Sequence, residues 1–231
     1  MTPTTPVAVV LAAGKGVRVG SDIPKQFLEL DGRPVVVHAL EQHVRLGHYV
    51  VLVVSSDRRA EIDAILDRHL NDADISIVDG GATRQGSVAA GFGAIPAVTA
   101  KTSAVILHNA ASPFTPDALV SACVAGLADF DGMQGYVPSN ETTFTHDGTR
   151  LEQLIPRAAA GFTCDPTVYR RELVDKISDE LSGTGETTLD IATRLGARIG
   201  IVESPATNIK ITTPGDFERV AAAMGLPTSD D

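Results

Sequence analysis

The 231-residue chain contains no tryptophan, only seven phenylalanines and three tyrosines, and just two cysteines. Cys123 and Cys164 lie far apart with no metal-ligand companions at close spacing. A disulfide framework and a structural zinc site are therefore excluded, leaving incidental thiols in a reduced, cytoplasmic setting. Long apolar runs are missing too. The longest, such as Val7–Ala13 and Tyr49–Val54, are far too short to span a bilayer. Met1–Pro6 is polar and Pro/Thr-rich, without a basic segment leading into an apolar one, so no signal peptide is expected. Basic residues are outnumbered, 19 Lys+Arg against 29 Asp+Glu, for a net charge of −10. That balance argues against a surface that neutralises nucleic-acid phosphates broadly, but a few cations gathered in one cleft can still hold a nucleotide. No Ser/His/Asp or Cys/His arrangement suggests a covalent nucleophile, and there is no internal repeat or low-complexity tract.

What is present suits a buried core: 43% hydrophobic and 21% charged residues. Short β-branched runs at Val7–Leu11, Val50–Val54, Ile75–Val78, Ala104–Leu107 and Gln134–Val137 read as buried strands. Between them Val35–Val44, Arg58–His69, Gln85–Ala94 and Pro116–Leu127 have helical length and spacing, with Pro116 suited to a first helical turn. The closing segments Ile199–Val202, Asn208–Ile211 and Pro214–Met224 return to the same alternation. This pattern predicts an α/β fold: a mostly parallel wound sheet, Rossmann-like, in a single domain over 1–231. Thr142–Leu154 departs from it. It is polar and alternating about Asp147-Gly148, and reads as a projecting β-hairpin arm covering about 138–157. In a wound sheet ligands bind beyond the carboxyl ends of the strands, so the loops there are the place to look for chemistry.

The richest loop follows the first strand: Ala12-Ala13-Gly14-Lys15-Gly16-Val17-Arg18, then Pro24-Lys25-Gln26. Small residues and glycines let backbone N–H groups approach an anion, and Arg18 and Lys25 could flank a triphosphate. A dinucleotide fingerprint starting at Gly14 would need glycine where Val19 stands, and a phosphate-binding loop ending in Lys-Ser/Thr fits from neither Gly14 nor Gly16. A nicotinamide-dependent oxidoreductase is disfavoured on the same residues.

Ala12–Arg18 with Pro24-Lys25-Gln26-Phe27 resembles the signature loop of the 2-C-methyl-D-erythritol 4-phosphate cytidylyltransferase family, itself similar to the ribitol 5-phosphate cytidylyltransferases. The likeness continues in order at Gly80-Gly81-Ala82-Thr83-Arg84-Gln85-Gly86-Ser87-Val88, at His108-Asn109-Ala110-Ala111-Ser112-Pro113 and at Asn208-Ile209-Lys210-Ile211-Thr212-Thr213-Pro214. The resemblance implies a nucleotidyltransferase-like fold and transfer of CMP from CTP to a small phosphorylated polyol, a step of isoprenoid biosynthesis. It implies Ala12, Ala13, Gly14, Gly16, Gly81, Ala82 and Ser87 as nucleotide-binding residues. Arg18, Lys25 and Lys210 become the catalytic cations, and Mg²⁺ the accompanying divalent ion. It also implies that the arm reaches a second subunit, making a homodimer in which Thr142 and Arg157 act in trans.

The acceptor side departs from the family pattern. Where the motif reads His-Asp-Ala-Ala-Arg-Pro, this chain has Asn109 and Ser112, losing a carboxylate and a bidentate arginine. The Asp-Thr-Ile-Lys stretch of the arm becomes Glu141-Thr142-Thr143-Phe144, and Asp165 stands where the family has a threonine. Asn109, Ser112, Thr142, Arg157 and Asp165 are thus the acceptor-binding candidates, and a rearranged acceptor pocket is expected. Ribitol phosphate, an amino-alcohol phosphate or phosphonate, or a CTP-binding pseudoenzyme are the competing readings. His108 is read as packed rather than as a base, and Cys164 is assigned no chemistry.

Overall fold

A computed structural model describes residues 5–14, 24–99, 102–181 and 185–226. In chain order the elements are β1 (Val7–Leu11), β2 (Glu29–Leu30), β3 (Arg33–Pro34), α1 (Val35–Arg45), β4 (Tyr49–Val54), α2 (Arg59–His69), β5 (Ile75–Asp79) and α3 (Arg84–Val98). There follow β6 (Ala104–Asn109), α4 (Asp117–Gly126), β7 (Gly132–Pro138), β8 (Thr143–His146), β9 (Leu151–Ile155), β10 (Gly161–Arg170), α5 (Arg171–Glu180), α6 (Thr188–Arg194), β11 (Ile199–Glu203) and α7 (Pro214–Ala223).

Seven strands form one sheet in the order β11-β7-β10-β6-β1-β4-β5. β1 pairs in parallel with both β4 and β6, and only β10 runs antiparallel to its neighbours. The alternation of the strands assigns the two faces. Ala8, Val10, Leu52, Val54 and Ile106 point to α1, α2 and α4, burying Val36, Leu40, Ile62 and Val120. Val7, Val9, Val51, Val53, Val105 and Leu107 point the other way, onto Val88, Phe92 and Ile95 of α3 and Val174, Ile177 and Ile191 of α5 and α6. This explains why the strands are near-continuous valine and isoleucine runs: both faces are covered. Gly91 lets α3 lie close, since a Cβ there would stand 2.4 Å from Val9 Cγ1.

The predicted strands and the helices between them are present. Several details differ. Pro116 is the N-cap residue of α4 rather than its first helical residue. Asn208–Ile211 is not a strand: the Ile211 N–H makes one bond to Ala111 O at 2.8 Å, and Asn208 spends its amide on other loops. β10, α5 and α6 were not anticipated. β10 hides in sequence because its pairing with β7 jumps between Cys164 and Thr167, a bulge at Asp165-Pro166 that interrupts the alternation. The arm forms as expected. β8 and β9 make a separate two-stranded sheet, and the Asp147 carboxylate accepts from the N–H groups of Thr149 and Arg150 to close the turn. Those backbone bonds hold the Asp147 carboxyl below the usual carboxylate range.

Candidate active site

Where β1 has β4 on one side and β6 on the other, successive crossovers depart in opposite directions and leave a crevice beyond the strand ends. A cleft of ≈ 750 Å³ opens there, floored by Ala13, Gly14, Gly80 and Gly81, with Ser55 and Ser56 after β4. Lys25, Arg84 and Lys210 line its walls, and no Asp or Glu does so among the described residues. In a chain of net charge −10, a cationic cleft concentrates anionic ligands where the rest of the surface repels them.

Each loop is held by identifiable bonds. Ala12 N–H continues the sheet by donating to Val53 O at 2.7 Å. The buried Gln26 amide then donates to Ala12 O (2.7 Å) and Gly14 O (2.8 Å), stapling the first loop to the segment that carries Lys25. Ala12 is therefore a buried support, whereas Ala13 and Gly14 face the cleft. Gly16 and Arg18 lie outside the described residues. Lys25 Nζ reaches across the chain to Ile211 O at 2.6 Å, tying its segment to the one bearing Lys210.

The second loop turns at Gly80-Gly81 and enters α3, where the Thr83 hydroxyl caps Gly86 N–H. Ser87 is buried and donates to Thr83 O (3.0 Å) and Gly81 O (3.3 Å), so its hydroxyl shapes the loop that Gly81 and Ala82 present. Glycine is required here by space. A Cβ on Gly81 would lie 2.7 Å from the backbone of Gly86, and one on Gly80 2.6 Å from Ala13 Cβ. Gly81→Ala is expected to destabilise the fold by the about 1–3 kcal/mol that overpacking costs. Thermal unfolding checks this; an unchanged melting temperature would show that the loop shifts freely.

The third loop follows β6. Asn109 lines the cleft, and beneath it lie Ser112 and Asp165, both buried. Asn109 Nδ2 donates to the two Asp165 oxygens at 2.8 and 2.9 Å, Asn109 N–H donates to Oδ1 at 3.2 Å, and the Ser112 hydroxyl donates to Oδ2. The departures from the family motif at 109, 112 and 165 therefore meet in one cluster. Asn208 donates to Asp165 O at 2.7 Å, anchoring the segment that leads to Lys210. Arg84 is a residue that sequence reasoning left unassigned. Its Nη1 donates to Asn109 Oδ1 at 2.8 Å. Its place in the Gly80–Val88 motif was the available signal.

His108 is buried and hydrogen-bonded, as expected of a packed histidine. Its Nε2–H donates to Ser112 O at 3.0 Å and lies 3.3 Å from Thr115 Oγ1, whose own proton goes to Asn208 Oδ1. Its Nδ1 therefore accepts, receiving His43 Nε2–H at 2.7 Å, and His43 Nδ1 in turn accepts from His48 Nδ1 at 3.1 Å. Three hydrogen-bonded imidazoles run from the surface to the underside of the cleft. Burial, then the neighbouring His108 and His48, lowers the His43 pKa well below its ordinary value. Burial likewise lowers His48 to about 4, with the Asp117 carboxylate opposing. Burial pushes the Cys123 thiol up to about 12 and also raises Cys164, so neither is a ready thiolate. Thr142 and Arg157 are exposed beside and below the arm, outside the cleft of their own chain.

The cleft's loops carry the sequence motifs in chain order at the carboxyl ends of one wound sheet. A sequence profile of the 2-C-methyl-D-erythritol 4-phosphate cytidylyltransferases matches residues 7–225. The chain belongs to that family. A cytidylyltransferase of this kind from Bacillus velezensis is 30% identical over 225 residues, covering 94% of this chain and 95% of its own. Another from Cereibacter sphaeroides is 29% identical over 224 residues, covering 96% and 98%. Among solved structures, the 4-diphosphocytidyl-2C-methyl-D-erythritol synthase of Anaerococcus prevotii superposes with a TM-score of 0.82 at 21% identity, covering 96% of each chain. Family membership makes this chain a nucleotidyltransferase, and the shared fold accounts for the sheet order and the position of the cleft.

Proposed function

We propose that the chain transfers CMP from CTP to 2-C-methyl-D-erythritol 4-phosphate and releases pyrophosphate. The observation that carries this reading is the cleft itself: a small-residue floor at Ala13, Gly14, Gly80 and Gly81 faced by Lys25, Arg84 and Lys210. The relatives are named for this acceptor, so the ribitol, amino-alcohol and pseudoenzyme readings are not needed. An acceptor phosphate oxygen attacks the α-phosphorus of CTP in line with the departing pyrophosphate, forming one P–O bond as the other breaks. Negative charge builds on oxygens at both ends, and positioned cations lower the barrier without any covalent protein intermediate. Lys25 and Lys210, which line the same cleft and are linked through Ile211, are assigned to the triphosphate in this reading; Arg18 joins them on the resemblance alone. We assign Gly14, Gly81, Ala82 and Ser87 to the nucleotide side, with Gly16 on the resemblance alone, and Asn109 to the acceptor side.

Mg²⁺ is the cation such chemistry ordinarily uses, bound largely by substrate phosphates and water. The described residues do not form a protein-held site for it. No carboxylate lines the cleft, no cluster of three or more His, Cys, Asp or Glu is suited to a metal, and Asp165 is enclosed by its own donors. No step is assigned to a protein-bound ion.

Pyrophosphate release with CTP, Mg²⁺ and methylerythritol phosphate tests the function, with ribitol phosphate, glycerol phosphate and amino-alcohol phosphates as comparators. Turnover confined to another acceptor, or none, would overturn it.

Our reading places the enzyme in the cytoplasm and pairs two copies through the arm. No helix among the described residues is long and apolar enough to cross a membrane. The arm exposes Phe144, Leu151 and Leu154, with Phe162 beside it 61% exposed, and a lone two-stranded sheet has little stability of its own. Light scattering is expected to give twice the 24.1 kDa chain mass, and Leu154→Asp a monomer. A wild-type monomer at micromolar concentration would refute the pairing.

A further inference from the structure

Asp165 sits at the bulge of β10, only 7% exposed, and its side chain is aimed at the end of β6. The orientation of Asn109 above it is fixed by chemistry rather than by fit. Arginine has no acceptor, so the atom of Asn109 that meets Arg84 Nη1 at 2.8 Å must be the carbonyl oxygen. The amide NH₂ must then point at Asp165, and it does, donating to both carboxylate oxygens. Ser112 and the Asn109 backbone N–H complete the set of donors around this buried carboxylate. Replacing Asn109 by a carboxylate would pair it directly with Arg84 and set it against Asp165. As built, the negative charge lies one layer below the wall, and Arg84 meets the cleft through a hydrogen bond to a neutral carbonyl. Among the described residues Arg84 makes no salt bridge.

We propose that Asp165 is a positioning residue of the cleft: by fixing the Asn109 amide it holds the Arg84 guanidinium, with its charge unspent, against a phosphate group of the substrates. This rests on the cytidylyltransferase reading, and it adds to that reading a specific route of influence, 165 to 109 to 84. The phosphate could belong to CTP or to the acceptor, and separate measurements distinguish the two.

The test is a double-mutant cycle on Arg84→Gln and Asp165→Asn. CTP affinity is measured by calorimetry, KM and kcat by pyrophosphate release, and folding by thermal unfolding. Asp165→Asn is isosteric, and each single change is expected to cost on the order of 10-fold in CTP affinity or in kcat/KM for the acceptor. Together they should cost little more than one alone, because Asp165 acts through Arg84. A loss in CTP affinity assigns the phosphate to the nucleotide; a rise in KM for methylerythritol phosphate alone assigns it to the acceptor. If both measures show the two losses multiplying independently, the proposal is overturned.

A reciprocal swap guards against a variant that simply fails to fold. Asn109→Asp alone faces one carboxylate with another, and should lose roughly 100-fold and unfold at a lower temperature. N109D/D165N relieves that repulsion and should unfold near the wild-type temperature, but it sets a carboxylate against Arg84 and should stay at least about 10-fold below wild type in the same measure. Wild-type binding and rate in the swap overturn the proposal. Absence of wild-type turnover on methylerythritol phosphate would instead defeat the functional reading. The CTP-affinity cycle would then decide this proposal by itself, absence of coupling there overturning it.

Discussion

Lys25→Ala is expected to lower kcat/KM for CMP transfer by about 10²–10³, the loss typical when one preorganised donor to developing charge is removed. The lysine is half-buried on the cleft wall, and its Nζ is anchored on Ile211 O at 2.6 Å, so its ammonium is held in place before substrate arrives. A cation that acts on charge developing in the transition state should show its loss chiefly in kcat, with CTP affinity changed less. Lys25→Arg keeps the charge but not its position, and should retain part of the rate. Steady-state pyrophosphate release with calorimetry of CTP decides the matter. A kcat within threefold of wild type, in a variant with an unchanged melting temperature, would remove Lys25 from the chemistry.

Acid is expected to destabilise the fold well before the carboxylates protonate. His43 and His48 carry folded pKa values below the unfolded value of 6.5, about 4 in the case of His48. Below pH 6.5 the unfolded chain binds protons that the folded chain refuses, so stability is complete above that value and declines as pH falls. The slope approaches about 1.4 kcal/mol per pH unit for a histidine kept neutral. His48, partly exposed, contributes less. The geometry agrees. In the run from His48 through His43 to His108 both ring nitrogens of His43 and of His108 have partners, and a second proton on His43 would point donor at donor. Asp117, facing His48, is the acidic neighbour that moderates the effect. Melting temperatures across pH 7.5 to 5 should fall steeply for wild type. For His43→Gln they should start lower and fall less. Parallel curves for the two proteins would refute the assignment.

The sheet could be read from sequence because its strands are buried on both faces. Val7–Leu11 and Tyr49–Val54 need no alternation to declare themselves, being apolar runs that end in turn residues. β10 could not be read in that way. Its Asp165-Pro166 step carries a polar side chain inward and skips the ladder, so the strand presents no continuous pattern. α6 has seven residues, too few for a helical period to show, and its capping box at Thr187 and Asp190 is the only local signature. The site divides in the same manner. Gly81, Lys25 and Lys210 stand in contiguous motifs and were legible. That Asn109, Ser112 and Asp165 form one cluster was not, because 56 residues separate the first from the last and only the bulge of β10 brings them together. Arg84 shows its role through the direction of an amide that sequence does not encode.

The bond from Lys25 to the carbonyl of Ile211 joins residues 186 apart in the chain. During synthesis the N-terminal loop, the glycine turn and the β6 loop all emerge before the segment that completes them. The cleft as described is not assembled until Asn208–Thr212 has left the ribosome and Ile211 has docked on Ala111. A nascent or prematurely ended chain can build most of the sheet, yet it lacks the second lysine wall and the anchor for the first. The contact makes assembly of the cleft one of the last steps in building the chain.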